Sequence, residues 1–392
     1  NIGEDLTITF DLIGRAKRDL NPLRDYLIVN KTQSKHYPSD PRETASRCDE
    51  MGKELLKLCP SGKCLAVVFS ETAVGIGALA ASVLGERCFL ISTTREELPD
   101  FCERVTLREA HSHAPLHKLR VREINLAELE HIFIIDDEFT TGNTVKALAE
   151  KILANCRIPI SAHAFAASRE SVSTLENIGV RACAKYIYDE LPSLNFPEEF
   201  SPDEPERLKN PDKIIELNSL YDIRLSVNCQ RYFDECEALC GAVFRELSPT
   251  ISQAKSVEII GTEEFCLPPI LLGKMLAEKG FEMRVHGVTR SPILPADTEN
   301  YPIKTRSVLP SLYDGERTVY LYNSAKCDIT IIMTDAPKIN EENLKRLCGA
   351  CGGERVVLVS LRSREMRTSL KREDCELLLK DVTGLISPMS PA

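Results

Sequence analysis

The chain has 392 residues, 43% of them hydrophobic and 28% charged, which is typical of a globular protein of about two domains. It carries 49 Lys and Arg against 59 Asp and Glu, a formal net charge of −10. This balance argues against binding to a nucleic acid polymer, because phosphate backbones are held mainly by basic side chains. A small phosphorylated ligand is compatible with it, since a single loop of backbone N–H groups can hold one phosphate.

The sequence also predicts the compartment. No apolar run reaches the roughly 20 residues that a membrane helix needs. The 15 cysteines are scattered, and several, such as Cys64, Cys88 and Cys266, lie inside apolar runs. Cysteines used as small apolar side chains are typical of a reducing compartment. We therefore predict a cytoplasmic protein that does not interact with membranes.

Short apolar runs alternate with helical periodicity through the first half of the chain. Helical spacing places Val145, Leu148 and Ile152 on one face. Strands that alternate with helices favour a parallel sheet built from right-handed crossovers. The pattern predicts strands at residues 26–29, 64–69, 88–91, 131–135 and 158–164, and helices at 76–84 and 144–153.

A stretch rich in proline and acidic residues, 192–211, follows this region and is typical of a linker. Alternation then resumes, so we predict a first domain at 1–190, a linker at 191–212 and a second α/β domain at 213–392. The strands predicted in the second domain lie at residues 256–260, 281–288, 318–322, 329–334 and 355–361.

One segment, residues 132–144, predicts a ligand-binding site. Four apolar residues lead to two adjacent carboxylates, Asp136 and Asp137, and a Thr/Gly-rich turn then opens a helix. In a parallel sheet, ligands bind at the edge where such strands end. The turn consists of Thr140, Thr141, Gly142, Asn143 and Thr144.

This order of residue types suits a ribose 5-phosphate. Gly142 lets the backbone approach closely, and the helix N-terminus favours a phosphate. Asp136 and Asp137, which only accept hydrogen bonds when ionised, suit the vicinal hydroxyls of a sugar and, through the ligand, Mg²⁺. The alternative is that the acids merely end a strand and the threonines merely cap a helix.

The segment resembles the phosphoribosyl pyrophosphate (PRPP) loop of type I phosphoribosyltransferases. Together with the other blocks, it makes the chain similar to the phosphoribosyltransferase proteins of bacterial tellurium-resistance and stress gene clusters, which carry a C-terminal TRSP domain. Asn30 and Ser34 stand where that pattern has Ser and Gly. The further blocks are NPLRDYLIVNK at 21–31, KHYP at 35–38, FSETA at 69–73, TTRE at 93–96, EAHSHA at 109–114, TRSP at 289–292, YDGER at 313–317 and YLYN at 320–323.

The resemblance implies a type I phosphoribosyltransferase fold, a parallel sheet flanked by helices with a flexible hood. It also implies a Mg-dependent transfer of ribose 5-phosphate between PRPP and a nitrogen nucleophile, with release of diphosphate. Arg95 and His113 are then candidate contacts of the leaving diphosphate, whose charge must be stabilised. The candidate diphosphate loop is Ser70, Glu71, Thr72 and Ala73, with the N–H groups of the last two facing the ligand.

Two details of these loops leave alternatives open. Glu71 is unusual at an anion site, so it either orders Mg²⁺-bound water or a nearby Arg, or it is an acid at a helix N-terminus. His111, His113 and His117 could bind zinc, but they have no carboxylate or cysteine partner at metal spacing.

The second half repeats the order of the first, so we predict that it is a degenerate copy of the same fold. In it, Asp335-Ala336-Pro337 replaces the Asp-Asp…Thr-Thr-Gly loop. The alternative is that any two α/β domains share such an order. Its polar residues would form a second ligand site, a cover for the first site, or an outer surface without function. The candidates are Glu263, Glu264, Arg290, Ser291, Asp314 and Arg317.

Three functions remain at this point. The favoured one is a transferase that works with PRPP and a base-like acceptor, in biosynthesis of a nucleoside-like metabolite with companion enzymes of a stress gene cluster. The others are a non-catalytic PRPP or nucleotide-binding regulator and a hydrolase that cleaves a ribonucleotide held in the same site. A homodimer is expected because proteins of this fold commonly dimerise. The sequence does not identify the acceptor.

Overall fold

The computed structural model describes residues 12–19, 25–96, 105–108, 116–119, 128–154, 157–189, 196–218 and 220–362. We refer to the described residues up to 189 as the first half and to those from 196 as the second half. The elements of the first half are β1 (Ile13–Lys17), β2 (Tyr26–Asn30), α1 (Pro41–Leu58), β3 (Lys63–Val68), α2 (Val74–Ala81), a 3-10 turn (Ser82–Arg87), β4 (Cys88–Ser92), β5 (Val105–Arg108), β6 (Leu116–Leu119), β7 (Leu129–Ile135), β8 (Glu138–Phe139), α3 (Asn143–Leu153), β9 (Ile160–Ser168), α4 (Arg169–Glu176) and β10 (Arg181–Tyr188).

The predicted parallel sheet of the first half is confirmed for four of the five predicted strands, whereas the strand predicted at 26–29 forms β2 and pairs antiparallel with β1 in a separate hairpin. The strands of the parallel sheet lie in the order β10-β9-β7-β3-β4, and each of these pairs is parallel. The central strand β7 is buried except at Glu130, and its last four residues, 132–135, are all apolar, as expected of a parallel strand that is covered on both faces. Strands β5 and β6 form a separate antiparallel hairpin between β4 and β7.

The second half contains a second parallel sheet, in the order β11-β18-β17-β13-β14. A strand was predicted at 318–322; it forms, but pairs antiparallel in a separate hairpin. The elements are β11 (Lys213–Asn218), a 3-10 turn (Ile223–Leu225), β12 (Val227–Asn228), α5 (Cys229–Ile251), β13 (Ser256–Thr262), α6 (Leu267–Glu278), β14 (Glu282–Val288), β15 (Arg306–Pro310), β16 (Thr318–Tyr322), β17 (Cys327–Thr334), α7 (Glu341–Ala350) and β18 (Gly353–Arg362).

The two sheets have corresponding topologies. Four strands of the first half lie in the order β9-β7-β3-β4, and four of the second lie in the order β18-β17-β13-β14. Along the chain, β3 and β13 each lie between two helices. A hairpin then separates β4 from β7 in the first half and β14 from β17 in the second half. This order supports the prediction that the second half is a copy of the first.

Helices from both halves share one hydrophobic core. Helix α1 starts at the side-chain cap of Asp40 and buries Cys48, Met51 and Leu55 at helical spacing. Every residue of the short helix α2 is buried. Both helices belong to the same apolar cluster as residues of α5 and α6. The halves are therefore joined through a continuous interior.

The hairpin β1–β2 packs against the second half. Ala16, Leu27 and Val29 lie in one apolar cluster with Ile293 and Tyr322. Backbone hydrogen bonds reinforce this packing, including those from Leu294 N to Lys17 O (2.9 Å) and from Asp19 N to Pro292 O (3.1 Å).

Three smaller predictions concern thiols, membranes and the linker. The cysteines that the structure describes are free thiols, and most are buried. Helix α7 ends at Ala350, inside the Cys348-Gly349-Ala350-Cys351 stretch that precedes β18. Across the described ranges, no helix is both long and apolar enough to span a bilayer. Residues 196–212 of the predicted linker form neither helix nor strand, and the domain bounds stay a prediction.

Candidate functional site

The two adjacent carboxylates lie where β7 ends. Asp136 N donates to the carbonyl of His163 on the neighbouring strand (2.9 Å), and Asp137 N donates to Asp136 Oδ1 (2.9 Å). Asp137 Oδ1 in turn accepts a hydrogen bond from Thr72 Oγ1 (2.8 Å). Both acids are partly exposed. The acidic pair is thus fixed by backbone contacts and joined directly to the loop after β3.

Helix α3 opens beside these carboxylates with a glycine cap. Gly142 has φ +72°, in the left-handed region that favours glycine, and it offers no side chain to the first turn of the helix. Two serine hydroxyls hold the turn through its carbonyl groups. Ser171 Oγ donates to Phe139 O (2.9 Å), and Ser168 Oγ donates to Thr140 O (2.5 Å). Gly142 supplies no cap and Thr141 Oγ1 accepts from Asn143 N only at a long 3.4 Å, so this N-terminus is suited to an anion.

The loop after β3 is held by neighbours on several sides. Ser70 N donates to Thr93 Oγ1 (2.9 Å), and Gln33 Nε2 donates to Thr72 O (2.9 Å). Ala73 N donates to Phe69 O (3.2 Å), so this N–H, expected to face a ligand, already has a partner inside the loop. The Ser70–Glu71 peptide bond is cis.

Glu71 is directed towards the second half. Its carboxylate is buried, 3.5 Å from Lys35 Nζ, and it accepts a hydrogen bond from Arg290 N (3.2 Å). Burial opposes its ionisation, but Lys35 and Arg290 outweigh burial and lower the pKa of Glu71 to about 2. Since α2 begins at Val74, Glu71 lies outside the first turn of that helix.

This environment makes the stability of the protein sensitive to acid. The pKa of Glu71 falls from 4.5 to about 2 on folding, so its contribution is complete above pH 4.5 and is lost as the pH falls towards 2. We expect Glu71→Gln to unfold more easily than the parent by about 3 kcal/mol near pH 7, at 1.36 kcal/mol per pKa unit. Urea unfolding from pH 7 to 2.5 measures this difference, which should shrink below pH 4.5. A difference that stays constant with pH would contradict the assignment.

The loop after β4 is held by an acid from the second half. Thr94 Oγ1 donates to Glu264 Oε2 (2.7 Å), and Arg95 N donates to Glu264 Oε1 (2.9 Å). Arg95 therefore starts from an anchored backbone. His113 and His111 lie outside the described residues, and of His117 only the backbone, in β6, is described.

The second-half candidates meet these same loops. Arg290 Nε lies 2.7 Å from Glu263 Oε2, and Arg317 Nη1 lies 2.7 Å from both Glu263 Oε2 and Glu96 Oε1. Arg290 also pairs with Glu96. Asp314 is more exposed and lies 3.7 Å from Arg317. The charged candidates are thus brought together against the first half.

Ser291 contributes through its backbone. Its N–H donates to Thr289 Oγ1 (3.2 Å), and its carbonyl accepts a hydrogen bond from Tyr322 Oη (2.6 Å). The Thr-Arg-Ser-Pro tetrapeptide thereby connects the hairpin β1–β2, through Pro292, with the loop after β3, through Arg290.

Three residues that lie where the two halves meet were not singled out from the sequence. Lys35 is buried and donates to the carbonyls of Val288 (2.9 Å) and Glu263. Arg224 lies 2.8 Å from Glu264 Oε2 and 3.0 Å from Asp335 Oδ2. Burial lowers the pKa of His36 to about 4. A lysine and a histidine inside the KHYP block were a signal for the first and third, but their partners lie too far along the chain to be inferred.

Ser34, where the family pattern has glycine, keeps the conformation that glycine favours. Its φ is +57°. Hydrogen bonds hold it there, since Ser34 N donates to Ser39 Oγ (3.0 Å) and Ser34 Oγ lies 2.7 Å from Thr44 Oγ1. The loop shape survives the replacement.

The corresponding sheet edge of the second half is closed to an anion. Asp335, at the end of β17, is paired with Arg224 and Tyr313. Helix α7 is capped by Asn340, whose Oδ1 accepts from two first-turn N–H groups, and Glu341 and Glu342 add negative charge there.

The donor set of the first half fits Mg²⁺ carried by a ligand. The side chains at the opening are carboxylates and hydroxyls, the oxygen donors that Mg²⁺ prefers. No cluster of three or more His, Cys, Asp or Glu within the described ranges could hold a metal ion.

Comparisons with known families agree with this layout. The model of the phosphoribosyl transferase family PRTase_2 matches residues 12–168. The model of the TRSP domain, described as C-terminal to PRTase_2, matches residues 227–350. No curated protein matches the chain.

Several solved structures are similar to part of the chain. Adenine phosphoribosyltransferase from Giardia lamblia, complexed with 9-deazaadenine, is 14% identical over 47% of this chain and 98% of that one, with a TM-score of 0.36. The enzyme from Trypanosoma brucei with AMP, pyrophosphate and ribose-5-phosphate is 12% identical over 50% and 88%, with a TM-score of 0.34. Orotate phosphoribosyltransferase from Aeropyrum pernix is 14% identical over 47% and 92%, with a TM-score of 0.28.

Proposed function

This chain is a phosphoribosyltransferase with a C-terminal TRSP domain, and from that premise we propose that it moves ribose 5-phosphate between PRPP and a nitrogen nucleophile with release of diphosphate. The acceptor is a small base-like molecule, and the direct product is its 5′-phosphorylated ribonucleotide, formed in the biosynthesis of a nucleoside-like metabolite. The resemblance of the whole chain to proteins of stress gene clusters supports a role beside companion enzymes of such a cluster.

The observation that carries the proposal is the junction of three ligand-binding features at one sheet edge. Asp136 and Asp137 end β7, the glycine-capped helix α3 opens beside them, and Thr72 joins Asp137 to the loop after β3. These features suit the ribose hydroxyls, the 5′-phosphate and the diphosphate of PRPP, respectively. The phosphate-binding turn comprises Thr140, Thr141, Gly142, Asn143 and Thr144.

The protein's own residues then act by positioning and by charge. Asp136 and Asp137 accept hydrogen bonds from the ribose hydroxyls, and Arg95 approaches the departing diphosphate from its anchored backbone. Ser70 and Thr72 belong to the loop that binds the diphosphate, whereas the Glu71 side chain holds that loop in place through Lys35 and Arg290. Asp136 and Asp137 would hold Mg²⁺ through the ligand, and the bound cation would neutralise part of the diphosphate charge.

Titration calorimetry with PRPP and Mg²⁺ tests the proposal. We expect micromolar binding by the full chain, followed by diphosphate release when purine, pyrimidine and other nitrogen bases are offered in a panel. Binding without release from any base would favour the regulator. Binding of nucleoside monophosphates with release of free base in the absence of diphosphate would favour the hydrolase. No binding of PRPP would overturn the transferase.

A further inference from the structure

Each half contributes a short extended segment to the edge of the other half's sheet, as a single antiparallel bridge in one case and a two-residue strand in the other. Ser39, two residues before α1 begins, pairs antiparallel with Val285 of β14, with N···O distances of 3.0 and 2.9 Å. Val227, two residues before α5 begins, pairs antiparallel with Leu90 of β4. Each half thus extends the sheet of the other from the residues that lead into its own first long helix.

The two halves also exchange a carboxylate in the same way. Glu264, after β13, accepts from Arg95 N and Thr94 Oγ1 of the first half. Glu71, after β3, accepts from Arg290 N of the second half and from the Thr289 side chain. The acid that follows β13 thus binds the Thr-Arg pair that follows β4, and the acid that follows β3 binds the Thr-Arg pair that follows β14.

The register of these two exchanges agrees. Thr94 lies four residues after Leu90, the residue paired with the second half. Thr289 lies four residues after Val285, the residue paired with the first half. One alignment of β4 with β14 therefore accounts for both the strand pairs and the carboxylate contacts.

Between these contacts, the helices that follow β3 and β13 touch each other. A Cβ added to Gly75 of α2 would lie 2.8 Å from Cys266 Cβ and 2.9 Å from Ile270 Cδ1, so α2 and α6 approach closely. A Cβ added to Gly273 of α6 would lie 3.2 Å from Pro41 at the start of α1. The helices that lie between the sheets are thus in direct contact across the halves.

Reciprocal contacts, in which residue i of one copy binds j of the other and j binds i, define an isologous interface. We infer that the two halves of this chain are related by an approximate two-fold relation, and that the second half occupies the place of the second subunit of such a dimer. Asn340 and Arg224 close the corresponding anion site of the second half. The two halves together therefore keep one open candidate site, the cradle formed by Asp136, Asp137 and the start of α3. The face through which two copies would associate is filled within a single chain.

The relation gives Glu264 a specific task. It holds the backbone of Arg95 across the interface, as Glu71 holds that of Arg290 in the other direction. Glu264 is therefore a positioning residue for the proposed diphosphate contact. This part of the inference rests on the proposed function, whereas the reciprocity of the contacts does not.

Amide hydrogen exchange of the full chain, resolved to single residues, tests the reciprocity. We expect Glu264→Gln to speed exchange at Arg95 N–H about tenfold without a comparable change at Arg290 N–H. Glu71→Gln should do the reverse. The matched control is Glu258→Gln, which removes another buried carboxylate of β13 that contacts His286 inside the second half. It should leave both amides unchanged.

Calorimetry on the same variants tests the positioning role. We expect Glu264→Gln to weaken binding of PRPP with Mg²⁺ about tenfold, and Glu258→Gln to leave it within twofold of the parent. Unchanged exchange at Arg95 in Glu264→Gln would overturn the reciprocal interface. Faster exchange with unchanged PRPP affinity would overturn only the positioning role. A parent chain that binds no PRPP refutes the proposed function, and the exchange result still decides the relation between the halves.

Discussion

Asp136→Asn combined with Asp137→Asn is expected to weaken binding of PRPP with Mg²⁺ about 100-fold or more. Each ionised carboxylate that accepts from a hydroxyl contributes roughly 1.5–3 kcal/mol, and 1.4 kcal/mol corresponds to a tenfold change. The amides keep the size of the side chains but remove both charges and half of the acceptor oxygens. Calorimetric titration of the double variant beside the parent measures the loss.

The control for this prediction changes two adjacent acids elsewhere. Glu198 and Glu199 are exposed neighbours in the predicted linker, so Glu198→Gln with Glu199→Gln alters the net charge equally. That variant should bind like the parent. If the aspartate variant keeps the parent affinity while remaining folded, the ribose hydroxyls are held by other residues and the assignment of the cradle fails.

Replacing Lys35 with methionine should destabilise the fold by about 3–5 kcal/mol, the range for removal of one partner from a buried ion pair. The Lys35 side chain is buried and donates to two second-half carbonyls, of Val288 and Glu263, besides pairing with Glu71. Methionine fills a similar volume, so the loss comes from the ammonium charge that offsets Glu71 and from the hydrogen bonds of the lysine to the two carbonyls. Urea unfolding at pH 7 measures it.

A second variant separates charge from packing. Adding Glu71→Gln to Lys35→Met removes the buried carboxylate that has lost its lysine partner, so we expect the double variant to be more stable than Lys35→Met alone. If the two changes instead add as independent losses, Lys35 and Glu71 do not interact. A loss below about 0.5 kcal/mol in Lys35→Met would show that the buried lysine is not needed, since changes of that size are usual at ordinary surface positions.

The strands of both sheets could be predicted because their signal is local. Residues 88–91 are a continuous apolar run, and residues 131–135 consist of His131 followed by four apolar residues; they form the buried strands β4 and β7 almost as expected. The same signal does not reveal the partner of a strand. The run at 318–322 is therefore predicted as one more strand of the sheet, although β16 pairs antiparallel with β15 in a hairpin and forms a single bridge to Thr289 after β14.

The candidate cradle could also be predicted from the sequence, because its residues are close together along the chain. Asp136 to Thr144 is one continuous stretch, so strand end, turn and helix start appear together in the sequence. The charged junction between the halves differs, because Lys35 and Glu263 are 228 positions apart and only the packing of two sheets brings them together. For the same reason, sequence could identify Glu263, Glu264 and Arg290 as candidates but could not choose between a second site and a cover.

The helix layer shared by the two halves bears on how such a gene can change. In α1, α2, α5 and α6 the same apolar cluster draws on both halves, so neither half carries a complete interior of its own. Recombination that exchanged the second half for an unrelated module would strip apolar cover from α1 and α2, and most replacements would leave a chain that aggregates. The two halves are therefore expected to be inherited together, with substitutions on one side of the layer selecting compensating substitutions on the other.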